Sequence, residues 1–71
     1  MAITSIGILG GGQLGSLLSL AAKKLNLKSV VYSDDKESPA KNFSDDFIYG
    51  QFDDRSKLNF FLDQVDIITL E

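Results

Sequence analysis

The residues best placed to do chemistry are the glycines of one short loop. Gly10, Gly12 and Gly15 satisfy the pattern G-x-G-x-x-G, and Gly11 adds a further glycine. In this pattern the first glycine permits a tight turn, the second lets a ligand approach the backbone, and the third brings a helix close to a strand. Backbone N–H groups and the helix dipole then favour an anion. The loop therefore predicts a phosphate site, although a tight turn that binds nothing could have the same glycines.

Carboxylates at the ends of predicted strands form a second candidate group. In dinucleotide-binding domains an acidic residue at the end of the second strand holds the ribose, and here Ser33 takes that place, followed by Asp34 and Asp35. Glu71 follows the last predicted strand and could accept hydrogen bonds from ribose hydroxyls or a substrate amine. The aspartates also fit a solvated loop, and Glu71 also fits a frayed chain end.

The elements that position these residues follow from hydrophobic periodicity. Residues 3–9 are apolar and β-branched and predict a buried strand that stops at the glycines. From Gln13 the period becomes helical, and Asn26 suits the left-handed residue that closes such a helix. Residues 28–33 predict a second strand. The apolar stripe of the helix comprises Leu14, Leu17, Leu18, Ala21, Ala22 and Leu25.

The second half of the chain repeats the alternation of helix and strand. Residues 34–46 are expected outside the sheet, with one helical turn after Pro39, and residues 47–50 form a third strand. Asp53 or Asp54 caps a second helix, and residues 65–70 form a fourth strand. The apolar positions of that helix are Leu58, Phe61, Leu62 and, next in the series, Val65.

This alternation predicts an α/β fold in which residues 1–71 form one domain. About four parallel strands in the order 3-2-1-4 are flanked by helices joined through right-handed crossovers. In that order the chain reverses direction between strands 1 and 4, and open α/β sheets bind ligands beyond the carboxyl ends of the strands at such a point. The glycine loop and Glu71 are therefore expected to flank one crevice.

Composition narrows the function classes. The 71 residues carry a net charge of −3 and contain neither cysteine nor histidine. The acidic balance disfavours nucleic acid and anionic membranes as partners, and no segment resembles a membrane span or a signal peptide. Without cysteine or histidine we expect no disulfide and no metal site of the usual zinc type. We expect a cytoplasmic protein.

The sequence resembles the amino-terminal region of the N5-carboxyaminoimidazole ribonucleotide synthetases, the ATP-dependent subunit of phosphoribosylaminoimidazole carboxylase. The resemblance covers nearly the whole chain and is carried by "IGILGGGQLG", "LAAKKL", "VVYSDDKESPA", "YGQFDD" and "DIITLE". Its most specific part is the run from Gly10 to Gly15 with glutamine at position 13. A related formate-dependent glycinamide ribonucleotide transformylase has glutamate there, so Gln13 favours the carboxylating enzyme.

The resemblance implies the Rossmann-like pre-ATP-grasp domain of a purine-biosynthesis ligase. That enzyme uses ATP to activate bicarbonate and carboxylates 5-aminoimidazole ribonucleotide. Gly12, Gln13, Leu14 and Glu71 would contact the ribonucleotide, and the backbone of Gly10, Gly11 and Gly15 would complete the phosphate loop. The resemblance also implies a homodimer for the full-length enzyme.

Two departures and the length qualify this comparison. Members of the family commonly have arginine where this chain has Ser16, so one possible cationic phosphate contact is missing. They also often have aspartate where this chain has Ser33. Known members are several times longer, and their sites for ATP and Mg²⁺ lie beyond residue 71. We therefore expect a fragment without catalytic residues that is inactive alone. The alternative is an NAD(P)-type dinucleotide-binding module of an oxidoreductase or regulatory protein.

Overall fold

A single parallel sheet organises the chain. The computed structural model describes residues 4–10 and 12–70, and all neighbouring strands in it pair in parallel in the order β3-β2-β1-β4. The predicted fold class and strand order are confirmed. No helix in these two ranges is long and apolar enough to cross a membrane. The elements are β1 (Ser5–Leu9), α1 (Gln13–Lys24), β2 (Lys28–Ser33), a 3₁₀ helix (Pro39–Asn42), β3 (Asp46–Tyr49), α2 (Arg55–Asp63) and β4 (Ile67–Leu70).

Helices cover both faces of the sheet, so β2 is buried on both sides. On one face Ile8 and Val31 pack with Ala40 of the 3₁₀ helix, and Leu18 of α1 joins this cluster. On the other face Phe61 of α2 packs against the β2 side chains Val30 and Tyr32. Successive residues of a strand point to opposite faces, and the continuous apolar run of β2 is the pattern expected of a strand covered on both sides.

The end of α1 is set by a Schellman motif around Asn26. Asn26 has a φ of 60°, and its N–H donates to the carbonyl of Lys23 at 3.1 Å. The N–H of Leu27 donates to the carbonyl of Ala22 at 2.8 Å. Asparagine tolerates this left-handed conformation better than most residues. The predicted closure of the helix at Asn26 is confirmed.

The face that α1 turns to the sheet overlaps only in part with the predicted apolar stripe, since Ala22 and Leu18 pack there and the other four members are exposed. Gly15, Ser16, Ser19 and Ala22 are buried, whereas Leu17 at 63% and Leu14 at 50% are exposed. Small residues let a helix approach a sheet closely, and the serine hydroxyls are satisfied inside the helix, where Ser19 donates to the carbonyl of Gly15 at 2.9 Å. Close approach therefore decided which face was buried, and most of the leucines were left on the outer surface.

Helix α2 is fixed by a cap at its start and by a glycine beneath it. The carboxylate of Asp54 accepts a hydrogen bond from the N–H of Lys57 at 3.1 Å, which confirms the predicted N-cap. A Cβ added at Gly7 of β1 would lie 2.8 Å from the ring of Phe61 and 2.8 Å from a methyl group of Val65. Glycine at position 7 is therefore what allows α2 to pack onto β1.

Asp66 links β1 and β4 at the amino-terminal ends of these strands. Its carboxylate accepts hydrogen bonds from the N–H of Thr4 at 2.9 Å, the hydroxyl of Thr4 at 3.1 Å and the N–H of Ser5 at 3.2 Å. The backbone N–H of Thr4 contributes most to holding the pKa of Asp66 below its usual value. This contact joins the start of β1 to the start of β4 and helps to fix which strand is the neighbour of β1.

Candidate functional site

The loop after β1 begins with a backbone turn that favours glycine. Gly10 has a φ of 108°, a region that other residues rarely adopt. Its N–H donates to the carbonyl of Tyr32 at 2.8 Å and so continues the pairing of β1 with β2. The chain turns sharply at the end of the sheet, as the first glycine of the motif predicts.

Helix α1 then begins at the carboxyl edge of the sheet. Gly12 is the N-cap, with φ −74° and ψ −159°, and its carbonyl accepts from the N–H of Ser16 at 3.1 Å. No side chain in the described residues caps this end, and no acidic residue lies in the first turn. The first N–H groups of an α-helix have no carbonyl partner within the helix, and in α1 they belong to residues 13–15. Together with the helix dipole they give the loop the polarity of an anion site.

The strand register brings the end of β4 beside this loop. Leu9 pairs with Leu70 on one side and with Tyr32 on the other, so the carboxyl ends of β1 and β4 lie side by side. The predicted adjacency of strands 1 and 4 is confirmed. Glu71 and Gly11 lie outside the described residues, as does the side chain of Gln13, whose backbone opens α1. Leu14 is described, and half of its surface is exposed at the start of the helix.

Ser16, one of the departures from the family pattern, is turned back onto the loop. Its side chain is only 8% exposed, and the hydroxyl donates to the carbonyl of Gly12 at 3.3 Å. A serine here closes the first turn of α1, whereas an arginine could reach outward. Sequence reasoning treated position 16 only as a missing cation. The buried serines at positions 16 and 19, spaced three apart, are the signal that could have identified this face.

The acidic residues after β2 do not take the position that a dinucleotide ribose requires. Ser33 ends the strand and is 3% exposed, and its hydroxyl accepts from the N–H of Asp35 at 3.1 Å. The carboxylate of Asp35 accepts from the N–H of Glu37 at 2.9 Å, and Asp34 is exposed. The carboxylates therefore follow the strand end and shape the turn. This arrangement gives no support to the dinucleotide reading.

Two lysines at the same edge of the sheet lie away from the loop. The Nζ of Lys57 donates to the carbonyl of Tyr49 at 3.1 Å and lies 5.7 Å from the centroid of its ring, while the Nζ of Lys36 lies 5.2 Å from it. Tyr49 ends β3, two strands from β1. Both cations are held against this ring, and neither is described in contact with the glycine loop, where the backbone N–H groups and the helix dipole favour an anion.

Metal ligation is also absent from the part of the chain that the structure describes. Within residues 4–10 and 12–70, no group of three or more acidic, cysteine or histidine side chains could hold a metal ion. The described residues instead provide backbone N–H groups at the start of α1, beside the end of β4. These groups suit a ligand that carries a phosphate.

Comparison with known proteins identifies relatives of this chain. An N5-carboxyaminoimidazole ribonucleotide synthase of Staphylococcus aureus is 37% identical over 67 residues, which are 94% of this chain and 18% of the relative. A phosphoribosylaminoimidazole carboxylase of Ogataea methanolica is 41% identical over 69 residues, 94% of this chain and 13% of the relative. The chain thus spans less than a fifth of the length of these relatives.

Solved structures agree with the sequence comparison. The N5-carboxyaminoimidazole synthetase of Staphylococcus aureus, solved as a complex with ADP, superposes with a TM-score of 0.92 at 37% identity, covering 96% of this chain and 18% of that one. The enzyme of Thermotoga maritima gives a TM-score of 0.89 at 34% identity, covering 96% and 19%. The family model of the ribonucleotide synthetase preATP-grasp domain matches residues 3–71. The chain belongs to the family of ribonucleotide synthetase preATP-grasp domains.

Proposed function

We propose that this chain is the substrate-binding amino-terminal domain of an ATP-dependent ligase that carboxylates 5-aminoimidazole ribonucleotide with bicarbonate. The observation that carries the proposal is the register of Leu9 with Leu70, which sets a glycine loop of this family beside the end of β4. The names of the relatives, N5-carboxyaminoimidazole ribonucleotide synthase and phosphoribosylaminoimidazole carboxylase, supply the reaction.

In this proposal the glycine loop holds the phosphate of the ribonucleotide. The backbone N–H groups at the start of α1 donate to the phosphate oxygens, and Gly12 leaves room for the ligand because it has no Cβ. Gln13 assists as a polar side chain and Leu14 packs against the sugar. Gly10, Gly11 and Gly15 shape the loop. A carboxylate beside the loop would repel the phosphate, and the first turn of α1 has no acidic residue.

Glu71 would serve the ribose or the amine of the same ligand. It directly follows Leu70 in the sequence, and Leu70 is paired with the last residue before the loop. A carboxylate accepts hydrogen bonds from hydroxyl or amine donors, and charge assistance strengthens them. Phosphate and ribose would then be held by the ends of two neighbouring strands.

The remaining requirements of the reaction fall outside this chain. ATP and Mg²⁺ would bind in the rest of a longer enzyme, because the described residues provide no carboxylate cluster for the metal. We further propose that the full-length enzyme is a homodimer in the cytoplasm that binds neither nucleic acid nor membrane, in keeping with the net charge of −3. The isolated 71 residues would have no ATPase or carboxylation activity.

The substitution Gly12→Val in the full-length enzyme tests the role of the loop. The φ of −74° and ψ of −159° at Gly12 are extended values that a β-branched residue adopts, so the variant probes space for the ligand without backbone strain. We expect the Michaelis constant for the ribonucleotide to rise while that for ATP stays nearly unchanged. Asn59→Val, on the exposed surface of α2, is the matched control and should change neither constant. A folded Gly12→Val enzyme with both constants at parental values would contradict the proposal.

The substitution Glu71→Ala tests the second half of the site. Loss of a charge-assisted hydrogen bond costs roughly 1.5–3 kcal/mol, which corresponds to about one to two decades in ribonucleotide affinity. Isothermal titration of the full-length protein with the ribonucleotide measures this loss directly. An affinity within about twofold of the parent would remove Glu71 from the site and leave the loop assignment to be judged by Gly12→Val.

A further inference from the structure

The carbonyl of Gly12 accepts two hydrogen bonds from one residue, Ser16. The backbone N–H of Ser16 donates to it at 3.1 Å, which is the first hydrogen bond of α1, and the hydroxyl of Ser16 donates to it at 3.3 Å. Ser16 is almost completely buried, so its hydroxyl has little access to water and needs a partner within the protein. The side chain at position 16 therefore reinforces a contact that the helix backbone already makes.

The peptide bond between Gly12 and Gln13 links this contact to the direction of the next N–H. The described residues contain no cis peptide bond, and in a planar trans peptide the C=O and the N–H point in opposite directions. The carbonyl of Gly12 points into α1, towards Ser16, so the N–H of Gln13 points out of the helix at its amino-terminal end. Holding the carbonyl therefore also holds one of the N–H groups that the proposed function assigns to the phosphate.

Gly12 is a residue at which such a restraint has a large effect. Rotation about ψ of Gly12 swings the peptide that carries the N–H of Gln13, and a glycine has no Cβ to limit that rotation. A second hydrogen bond to the carbonyl of Gly12 restricts the rotation before the ligand arrives. A binding group that is already oriented loses less conformational freedom on binding, so the affinity is higher. The hydroxyl also polarises the peptide, because hydrogen bonds in a chain strengthen one another.

Ser19 makes the same type of contact about one turn later, but with a different consequence. Its hydroxyl donates to the carbonyl of Gly15 at 2.9 Å, and its side chain is fully buried. The N–H of the peptide that begins at Gly15 belongs to Ser16, and this N–H already donates to the carbonyl of Gly12. It is therefore not available to a ligand. Two serines with the same local chemistry thus hold two peptides, of which only the first presents its N–H to the loop.

We propose that Ser16 is a positioning residue of the glycine loop, whose hydroxyl fixes the peptide between Gly12 and Gln13 so that the N–H of Gln13 faces the phosphate of the ribonucleotide. The inference rests on the proposed function, because it requires that the loop binds this phosphate. It extends that function to a residue that does not touch the ligand. Position 16 then contributes to phosphate binding through the backbone and not through a charge.

Kinetics of the full-length enzyme with Ser16→Ala and Ser19→Ala test the proposal. Ser16→Ala should raise the Michaelis constant for the ribonucleotide about fivefold, which is about 1 kcal/mol at 1.4 kcal/mol per decade. It should leave kcat and the Michaelis constant for ATP within about twofold of the parent. Ser19→Ala is the matched control, because it removes the shorter hydrogen bond from the more deeply buried site. The control should leave all three constants within about twofold of the parent.

Threonine and valine at position 16 separate the effect of the hydroxyl from that of the space it fills. The two side chains have nearly the same shape, but only threonine can donate to the carbonyl four residues back. Ser16 lines a groove of about 280 Å³ with Pro39 and Phe43, which leaves room for additional methyl groups. Ser16→Thr should therefore keep the ribonucleotide constant within about twofold of the parent, whereas Ser16→Val should raise it as Ser16→Ala does.

Comparison with Gly12→Val distinguishes a failure of this inference from a failure of the proposed function. A Ser16→Ala enzyme with a parental ribonucleotide constant would overturn the role of Ser16, and the assignment of the loop would stand if Gly12→Val still raised that constant. Parental constants in both variants would contradict the inference and the loop assignment together. An equal rise in Ser19→Ala or in Ser16→Thr would also overturn the inference, because the effect would then not depend on the hydroxyl at position 16.

Discussion

Gly10 and Gly12 belong to one motif but meet different physical requirements. Gly10 has a φ of 108°, and this backbone conformation favours glycine at position 10 whether or not a ligand binds. Gly12 has extended backbone angles that other residues also adopt. The turn therefore does not explain why position 12 is glycine, whereas space for a ligand would. A substitution at Gly10 would test folding, and only one at Gly12 tests binding.

Asp66 gives a prediction about pH and stability at the scale of one residue. Hydrogen bonds from Thr4 and then Ser5 hold its pKa in the folded state below the usual value. A group with a lowered folded pKa contributes stability above its unfolded pKa, about 3.9 for aspartate, and loses that contribution as the pH falls through the folded pKa. Asp66→Asn should therefore be less stable than the parent at pH 7, and the difference should shrink below about pH 4.

Urea unfolding of both proteins between pH 7 and pH 3 measures this difference. Asp34→Asn, which changes an exposed carboxylate in the loop after β2, is the control and should not reproduce the pH-dependent gap. A gap between Asp66→Asn and the parent that stays constant over this range would mean that the charge of Asp66 contributes nothing to the junction of β1 and β4.

At the scale of elements, the order of the strands could be predicted because strand and helix patterns alternate along the chain. Such alternation implies parallel strands joined by right-handed crossovers. Asn26 and Asp54 stood where helices must end or begin, and β2 matches residues 28–33 as predicted. Other boundaries moved by up to two residues, with β3 at 46–49 and β4 at 67–70. Local pattern does not settle where pairing with a neighbouring strand stops.

The orientation of α1 could not be predicted from its leucines, and the reason is steric. Burying the leucine stripe would keep the helix farther from the sheet than Gly15, Ser19 and Ala22 do. Leu62 of α2, predicted on the buried face, is likewise 43% exposed, whereas Phe61 is fully buried. A hydrophobic pattern reports what can be buried in the complete protein, and close packing decides what is buried here.

Gly7 carries a prediction about the packing of α2 on β1. Gly7→Ala places a methyl group 2.8 Å from atoms of Phe61 and Val65, and overpacking of this kind costs about 1–3 kcal/mol. Replacing glycine with alanine also reduces the entropy of the unfolded chain, which stabilises by only about 0.4–1 kcal/mol. We therefore expect a net loss in the free energy of unfolding.

A double-mutant cycle with Val65→Ala identifies the cause of that loss. Removing two methyl groups beside the new one should make the double variant more stable than the sum of the single changes predicts. Simple additivity in chemical denaturation would show that the strain does not come from the contact with Val65.

At the scale of the whole molecule, much apolar surface stays outside the core. The described residues bury seven hydrophobic side chains, among them Ile8, Val31 and Phe61, while Leu70 at 72% and Phe60 at 60% are exposed. Ile67 and Ile68 lie on opposite faces of the edge strand β4, and both are exposed. An apolar edge strand of this kind favours association unless another element covers it.

This distribution predicts that the 71 residues alone are marginally stable. Small cores supply only about 3–5 kcal/mol, and no disulfide adds to that, since the sequence has no cysteine. We expect the isolated chain to melt below about 65 °C, the upper end for mesophilic domains, and to self-associate as its concentration rises. Calorimetry together with sedimentation measures both properties. A monomer with a cooperative transition above that temperature would count against this view of the core.

The most direct test of the central claim is a structure of the full-length protein bound to 5-aminoimidazole ribonucleotide. The claim is that backbone N–H groups at the start of α1, and not a cationic side chain, hold the phosphate beside the end of β4. We expect phosphate oxygens about 3 Å from the N–H nitrogens of residues 13–15, with the Glu71 carboxylate at the ribose or the amine. A phosphate bound away from residues 10–15 would contradict the assignment of the glycine loop.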